Sequence, residues 1–125
     1  MKITTLLAAL LAALLALGMT SAAAGAAENR CGWLQNPTPA NWWLEDGDGT
    51  WTMMTQGGGD EPDGFDRIPD ISAGDYVRTN GNYGYACACM TVETDAGEGR
   101  ILAIHSFRQL PISQCADDPS LPTPE

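Results

Sequence analysis

The chain has 125 residues and a net charge of −10, with 16 Asp and Glu against six Lys and Arg. Nucleic acid and anionic membrane surfaces are poor partners for such a chain, since both require a basic face. The sign suits a basic protein of the envelope or of a host, a cation, or solubility alone.

The first 27 residues have the layout of a cleaved secretory signal: Lys2 gives a positive start, Leu6 to Leu17 is an unbroken Ala/Leu run, and small residues follow. The run is shorter than the roughly 20 residues a membrane span needs. Cleavage sites follow Ala24, Ala26 and Ala27, of which Ala27 is taken as the end of the signal. Glu28-Asn29-Arg30 ahead of Cys31 is not a lipid-attachment pattern. An exported protein in the periplasm or outside the cell is expected, with no membrane association after cleavage. The sequence leaves its oligomeric state open.

Removal of the signal leaves 98 residues, enough for a single β domain over residues 28–118 and a flexible tail over 119–125. That domain has five arginines, no lysine and all 16 carboxylates, a net −11. A chain of this size has a thin core and gains from cross-links.

Arg30 to Leu34 is rich in β-formers, and Asn36-Pro37-Thr38-Pro39 is expected to end it. Asn41 to Glu45 and Thr50 to Thr55 flank Asp46-Gly47-Asp48-Gly49, the signature of a tight hairpin. With Gly47-Asp48 or Asp48-Gly49 at the turn, Trp42, Leu44, Trp51 and Met53 share the core face and Trp43, Thr50 and Thr52 the other. From Gln56 to Ser72 the composition turns to Gly, Asp and Pro, with Phe65, Ile68 and Ile71 as its sizeable apolar residues. This reads as a long surface loop, the most natural place for a partner to touch.

A short strand at Tyr76 to Arg78 and a turn at Thr79 to Asn82 lead into the main strand, Gly81 to Val92. Tyr85, Cys87, Cys89 and Thr91 lie on one face of it and Ala86, Ala88, Met90 and Val92 on the other, the pattern of a strand covered on both sides. A polar loop, Thr94 to Gly99, precedes a strand from Arg100 to Phe107. Simple pairing of the two places Met90 and Val92 with Leu102 and Ile104, and Cys87 and Cys89 with His105 and Phe107. The C-terminal stretch has few packing residues, and Cys115 would fasten it. The expected fold is mostly β, a small disulfide-stapled barrel or two-layer sandwich of five to six short antiparallel strands.

Four cysteines in a short exported chain argue for two disulfides. A Cys87–Cys89 bridge would be a tight ring, so each pairs with one end of the domain: Cys31 with Cys87 and Cys89 with Cys115 are expected, narrowly over the swapped version. Redox chemistry lacks a nearby Lys or helix N-terminus to lower a thiol pKa. Zinc lacks a Cys-x₂₋₄-Cys knuckle, and His105 in an apolar strand reads as structural. Asp46-x-Asp48-Gly49 fails as a calcium loop because its twelfth position is Gly57. Neither a catalytic residue, nor a metal ligand, nor a cofactor is assigned. The candidate partner-binding residues are Trp43, on the face away from the core, and Asp60, Glu61, Asp63, Phe65 and Asp66 in the loop. Tyr83 and Tyr85 stand at the rim or in the core.

Taken together, Arg30-Cys31-Gly32-Trp33, Asn36-Pro37-Thr38-Pro39, Trp51-Thr52, Tyr83-Gly84-Tyr85-x-Cys87-x-Cys89 and Leu110-Pro111-Ile112-x-x-Cys115 resemble a bacterial family of short exported proteins of unknown function. The resemblance covers nearly the whole mature chain and implies an envelope or secreted setting. It carries no activity. The expected function is a non-enzymatic binding module, in one version an inhibitor of a basic wall-degrading enzyme. A small carboxylate-dependent hydrolase of envelope sugars and a purely structural envelope protein are the alternatives.

Overall fold

The computed structural model describes residues 26–59 and 61–124, so the expected signal lies, except for Ala26 and Ala27, outside the described residues. Six strands form: β1 (Glu28–Thr38), β2 (Asn41–Asp46), β3 (Gly49–Met54), β4 (Tyr76–Asn80), β5 (Tyr83–Asp95) and β6 (Arg100–Leu110). A one-turn helix, α1 (Ile112–Ala116), follows. Strand pairing runs β1-β2-β3-β6-β5 and returns to β1, closing a small barrel, with β4 attached to β5. Every pairing is antiparallel except the seam between β3 and β6, a single parallel contact at Thr52 and Arg100. The expected mostly β, disulfide-stapled barrel is what forms.

The organising strand is β5. One of its edges pairs with β1 from Gly84 to Val92, and the other pairs first with β4 and then, from Cys87 onward, with β6. Its small residues permit this crowding. A Cβ on Gly84 would overlap the Val77 carbonyl of β4, as one on Gly32 would overlap the Glu45 carbonyl of β2. The barrel interior is filled by Leu34, Leu44, Met53, Met90, Val92, Ile101 and Ile104, all buried. The β2–β3 hairpin pairs Leu44 with Trp51 and Trp43 with Thr52 around Gly47-Asp48, which puts Leu44, Trp51 and Met53 in the core as expected. Trp42 packs at the core's margin, where a register shift separates it from Trp43.

Several expectations are corrected. Strand β1 does not stop at the Asn-Pro-Thr-Pro segment but runs to Thr38. Pro37, which has no N–H to offer, falls in the irregularity between Gln35 and Thr38, where no ladder bond is lost. In the β5–β6 pair, bulges at Thr91/Val92 and Glu93/Thr94 change the parity twice. Val92 does face Ile104, but Phe107 pairs with Met90 and packs on the core, and Leu102 is 49% exposed.

The Gln56 to Ser72 segment is not simply a solvated loop. It lies across the weak β3–β6 seam and completes the wall: Asp63 N–H donates to the Leu102 carbonyl at 3.1 Å, and Ile104 N–H donates to the Asp63 carbonyl at 2.7 Å. Two 3₁₀ turns, Phe65–Arg67 and Ile71–Ala73, deliver Ile71 to the core and Phe65 and Ile68 to its edge.

The cysteines pair across the two ends as expected, but in the swapped version: Cys31 with Cys89, and Cys87 with Cys115. The β1–β5 register decides it, because Cys31 lies directly opposite Cys89 with their Cα atoms 4.0 Å apart. Cys87 instead opposes Trp33 on one side and Leu110 on the other, and α1 just beyond Leu110 returns Cys115 to it.

Candidate functional site

The polar groups of the barrel fall into those that hold the fold and those left facing solvent. The most extensive of the first kind centres on Asp46 at the β2–β3 turn. One of its oxygens, Oδ1, accepts from the Asp48 and Gly49 N–H groups and from the Trp51 indole at 2.9, 3.1 and 3.0 Å. The other, Oδ2, accepts from Arg30 Nη1 at 2.7 Å. Arg30 also reaches Asp48 and Glu28 and lies 3.8 Å over the Trp51 ring. Burial alone would raise the Asp46 pKa, but the hydrogen bonds from Arg30, Trp51 and the Asp48 N–H, with the Arg30 charge, bring it below the ordinary carboxylate value. Burial likewise opposes the charge of Arg30, whose pKa is nonetheless raised by Asp46, Asp48 and Glu28. Asp46, earlier considered for a calcium loop, thus ties the N-terminal strand to the hairpin.

The cysteines are similarly spent. All four are in disulfides, which points to an oxidising, non-cytoplasmic environment. Among the described residues no cluster of His, Cys, Asp and Glu is arranged to hold a metal ion, and no helix is long and apolar enough to cross a membrane. His105 is half-exposed, with its Nε2 at 2.8 Å from Glu93 on the neighbouring strand.

The candidate partner-binding residues are dispersed. The Trp43 indole N–H donates to Glu45 Oε1 at 2.7 Å on the face of β2 away from the core. Glu61, Asp63 and Asp66 are exposed on the bridging segment, and Asp60 lies outside the described residues. Phe65 sets its edge against Trp42, ring centroids 5.3 Å apart at 83°. Trp43 and the loop therefore form no common surface through the contacts they make.

Two concavities stand out among the described residues. The larger, about 300 Å³, lies on the outer face of β1 and β5 between Trp33, Tyr85, Ile112 and Leu121. The tail expected to be flexible runs along it: the Trp33 indole donates to the Pro122 carbonyl at 3.0 Å, and Leu121 packs on the Cys87–Cys115 side.

The smaller, about 250 Å³, is formed where four segments meet: Asn36 from β1, Trp42 from β2, Pro69 to Ser72 from the bridging segment, and Tyr76, Asn82 and Tyr83 from the β4–β5 hairpin. Trp42 is fixed by Phe65 behind it. Tyr76 is fixed by its hydroxyl, which donates to the Asn82 carbonyl at 3.0 Å. Burial raises the pKa of this phenol, Arg78 opposes the shift and Asp70 adds to it, so Tyr76 stays a neutral donor well above pH 7. Asp70 Oδ1 accepts from Ser72 N–H and Oγ–H at 3.1 and 2.6 Å. Its second oxygen, Oδ2, accepts nothing from the described residues. This cleft joins three aromatic rings to a fixed, half-used carboxylate.

Sequence reasoning watched Trp43 and missed its neighbour Trp42, because core parity had already accounted for Trp42. It marked Tyr83 without deciding its place. The pair Tyr76 and Tyr83 flanking a tight turn is the signal that would have found the cleft.

The model of the family described as "Protein of unknown function (DUF4087)" matches residues 25–122, nearly the whole of the described chain. The chain belongs to this family. DUF4087 carries no assigned activity, so its membership supports the family resemblance and leaves the function to the geometry. No curated protein and no solved structure matches this DUF4087 chain.

Proposed function

We propose that the chain is an exported bacterial envelope protein, periplasmic or extracellular, that works as a non-enzymatic binding module. The observation that carries this is the cleft at Trp42, Tyr76 and Tyr83, where rigid aromatic surface and uncommitted polar atoms face solvent together. Ligand sites have this composition: mostly apolar walls with a few placed polar groups. Glycoside cleavage uses two carboxylates roughly 5–9.5 Å apart, whereas among the described residues Asp70 is the one carboxylate lining this cleft. Binding is therefore better supported than hydrolysis. Saturation-transfer NMR on the oxidised protein with neutral oligosaccharides, lysine amide and a proline-rich peptide tests the reading. Saturable transfer to at least one probe, weakened by Tyr83→Ala, supports it; silence from all of them contradicts it.

A second reading keeps the acidic surface in view. Glu61, Asp63 and Asp66 are exposed on a segment pinned to β6, in a domain with 16 carboxylates and five arginines. Such a surface suits a basic protein, and a wall-degrading enzyme is the concrete candidate. Inhibition across a panel of basic lysozymes at low salt, relieved by salt, is the expected outcome. Full lysozyme activity at excess protein would remove this version.

A further inference from the structure

Resting on the binding-module reading, we infer that the ligand of the cleft is an uncharged sugar: one pyranose ring of an envelope glycan, stacked on the aromatic wall and gripped at its hydroxyls by Asp70 and Asn82. The first argument is charge. The domain as a whole is strongly acidic, and among the described residues Asp70 is the one charged side chain lining the cleft, with Arg78 just outside it. The Arg78 guanidinium lies 5.6 Å from the Tyr76 ring centroid, and its Nε faces Asn82 Oδ1 at 3.4 Å, on the same hairpin that meets Asp70. Both charges act on the Tyr76 hydroxyl in opposite senses. An anionic guest would meet Asp70, and a cationic one would find a single carboxylate whose field Arg78 opposes at the Tyr76 hydroxyl, whereas an uncharged guest needs no ion pair.

The second argument is the mixture of donors and acceptors. An ammonium or guanidinium wants acceptors alone, whereas a sugar hydroxyl both donates and accepts. The cleft offers Asp70 Oδ2 as an acceptor, the Asn82 amide N–H as a donor, since its oxygen is turned to Arg78, and the Tyr83 hydroxyl as either. Orientation of Asp70 by Ser72 means that its free oxygen is already placed before a ligand arrives.

The third is shape. A pyranose presents an apolar C–H face and a polar rim, which is the division of this cleft into aromatic wall and amide-carboxylate edge. At about 250 Å³ it falls just short of the usual range for drug-sized ligands, which suits one ring with the rest of the glycan leaving through the open side. An extended proline-rich strand would need a longer row of aromatic slots.

The test is a binding titration of the oxidised protein with N-acetylglucosamine trimer, maltotriose and a mannose trimer, beside galacturonate, lysine amide and a proline-rich decapeptide. At least one neutral saccharide is expected to saturate, with affinity unchanged between about 50 and 500 mM salt, because no ion pair forms. Tyr83→Ala weakens that binding about 3–10-fold, and Asp70→Asn weakens it on the order of 10-fold. Exposed Asp70→Asn keeps the wild-type melting temperature within about 2 °C, and half-buried Tyr83→Ala lowers it by about 4–8 °C while staying folded. Saccharide binding that ignores Tyr83→Ala overturns the placement. A response to the charged probes or the peptide, with none to any neutral saccharide, overturns the sugar and leaves the binding module standing. Silence to every probe overturns both.

Discussion

The two concavities of this barrel are similar in size, about 300 and 250 Å³, and opposite in condition. At the larger, the protein uses its own polar groups on itself: the Trp33 indole is satisfied by the tail, and the Cys87–Cys115 bridge holds α1 and the tail over Trp33. At the smaller, side chains are held as well, Trp42 by Phe65 and Asp70 by Ser72, yet Asp70 Oδ2 accepts nothing from the described residues. Size does not separate the two; the difference lies in how far the chain has already consumed the hydrogen-bonding capacity. Changes on the first side should cost stability and leave the cleft intact, and changes on the second should do the reverse.

The largest effect is expected from the staples. Loop-closure entropy assigns roughly 4 kcal/mol to the bridge spanning 58 residues, Cys31–Cys89, and roughly 3.5 kcal/mol to the one spanning 28, Cys87–Cys115. Paired serine substitutions followed by urea unfolding measure both. Loss of the second should also release the tail, read as faster amide exchange at Leu121, while the Tyr83 signals keep their positions.

Asp46→Ala should cost about 3 kcal/mol, near the low end for breaking a buried pair, since Arg30 retains Glu28 and Asp48. The same group sets an acid dependence. Its folded pKa lies below the ordinary value, so its contribution is fully present above the unfolded carboxylate pKa of about 3.9 and is lost as pH falls through the lower folded value. Melting temperature measured down the acid range should fall more shallowly for Asp46→Asn than for wild type; equal slopes would show that the group carries no such linkage.

Smaller still is Trp33→Phe, which removes the bond to the Pro122 carbonyl and part of a buried ring, and should cost about 2 kcal/mol in thermal unfolding. Least of all is Tyr83→Ala, a half-buried side chain, at about 1 kcal/mol. If Tyr83→Ala proves more damaging than Trp33→Phe, the contrast between a spent and an unspent concavity fails.

The distinction between these two sides was only partly legible in the sequence. Local signals held where the physics is local: Asp46-Gly47-Asp48-Gly49 names its own turn, and alternation then fixes Leu44, Trp51 and Met53 inward. Small residues on both faces of β5 announced a strand covered twice. Alternation failed in β5 and β6 because of two bulges, which change no composition, the first of which reverses the parity between Met90 and Val92. The cysteine partners depended on which residue of β1 stands opposite Cys89, a matter of register between strands 58 residues apart. The Gly, Asp and Pro content of the bridging segment hid its structural part, although Phe65, Ile68 and Ile71, spaced by three, fit its 3₁₀ turns. The cleft was least visible of all, since its walls come from four separated stretches and Trp42 had already been given a core role.

The four tryptophans make the central claim directly measurable, because Trp33 lines the larger concavity, Trp42 the smaller, and Trp43 and Trp51 neither. A nitrogen-15 spectrum of the indole N–H groups, recorded while the N-acetylglucosamine trimer, maltotriose and the mannose trimer are titrated in turn, reads all four at once. The account predicts that with at least one of them the Trp42 signal shifts saturably while Trp33 and Trp51, both held by internal hydrogen bonds, stay in place. Movement of Trp33 with Trp42 unchanged, or no movement of Trp42 with any of the three, would contradict it.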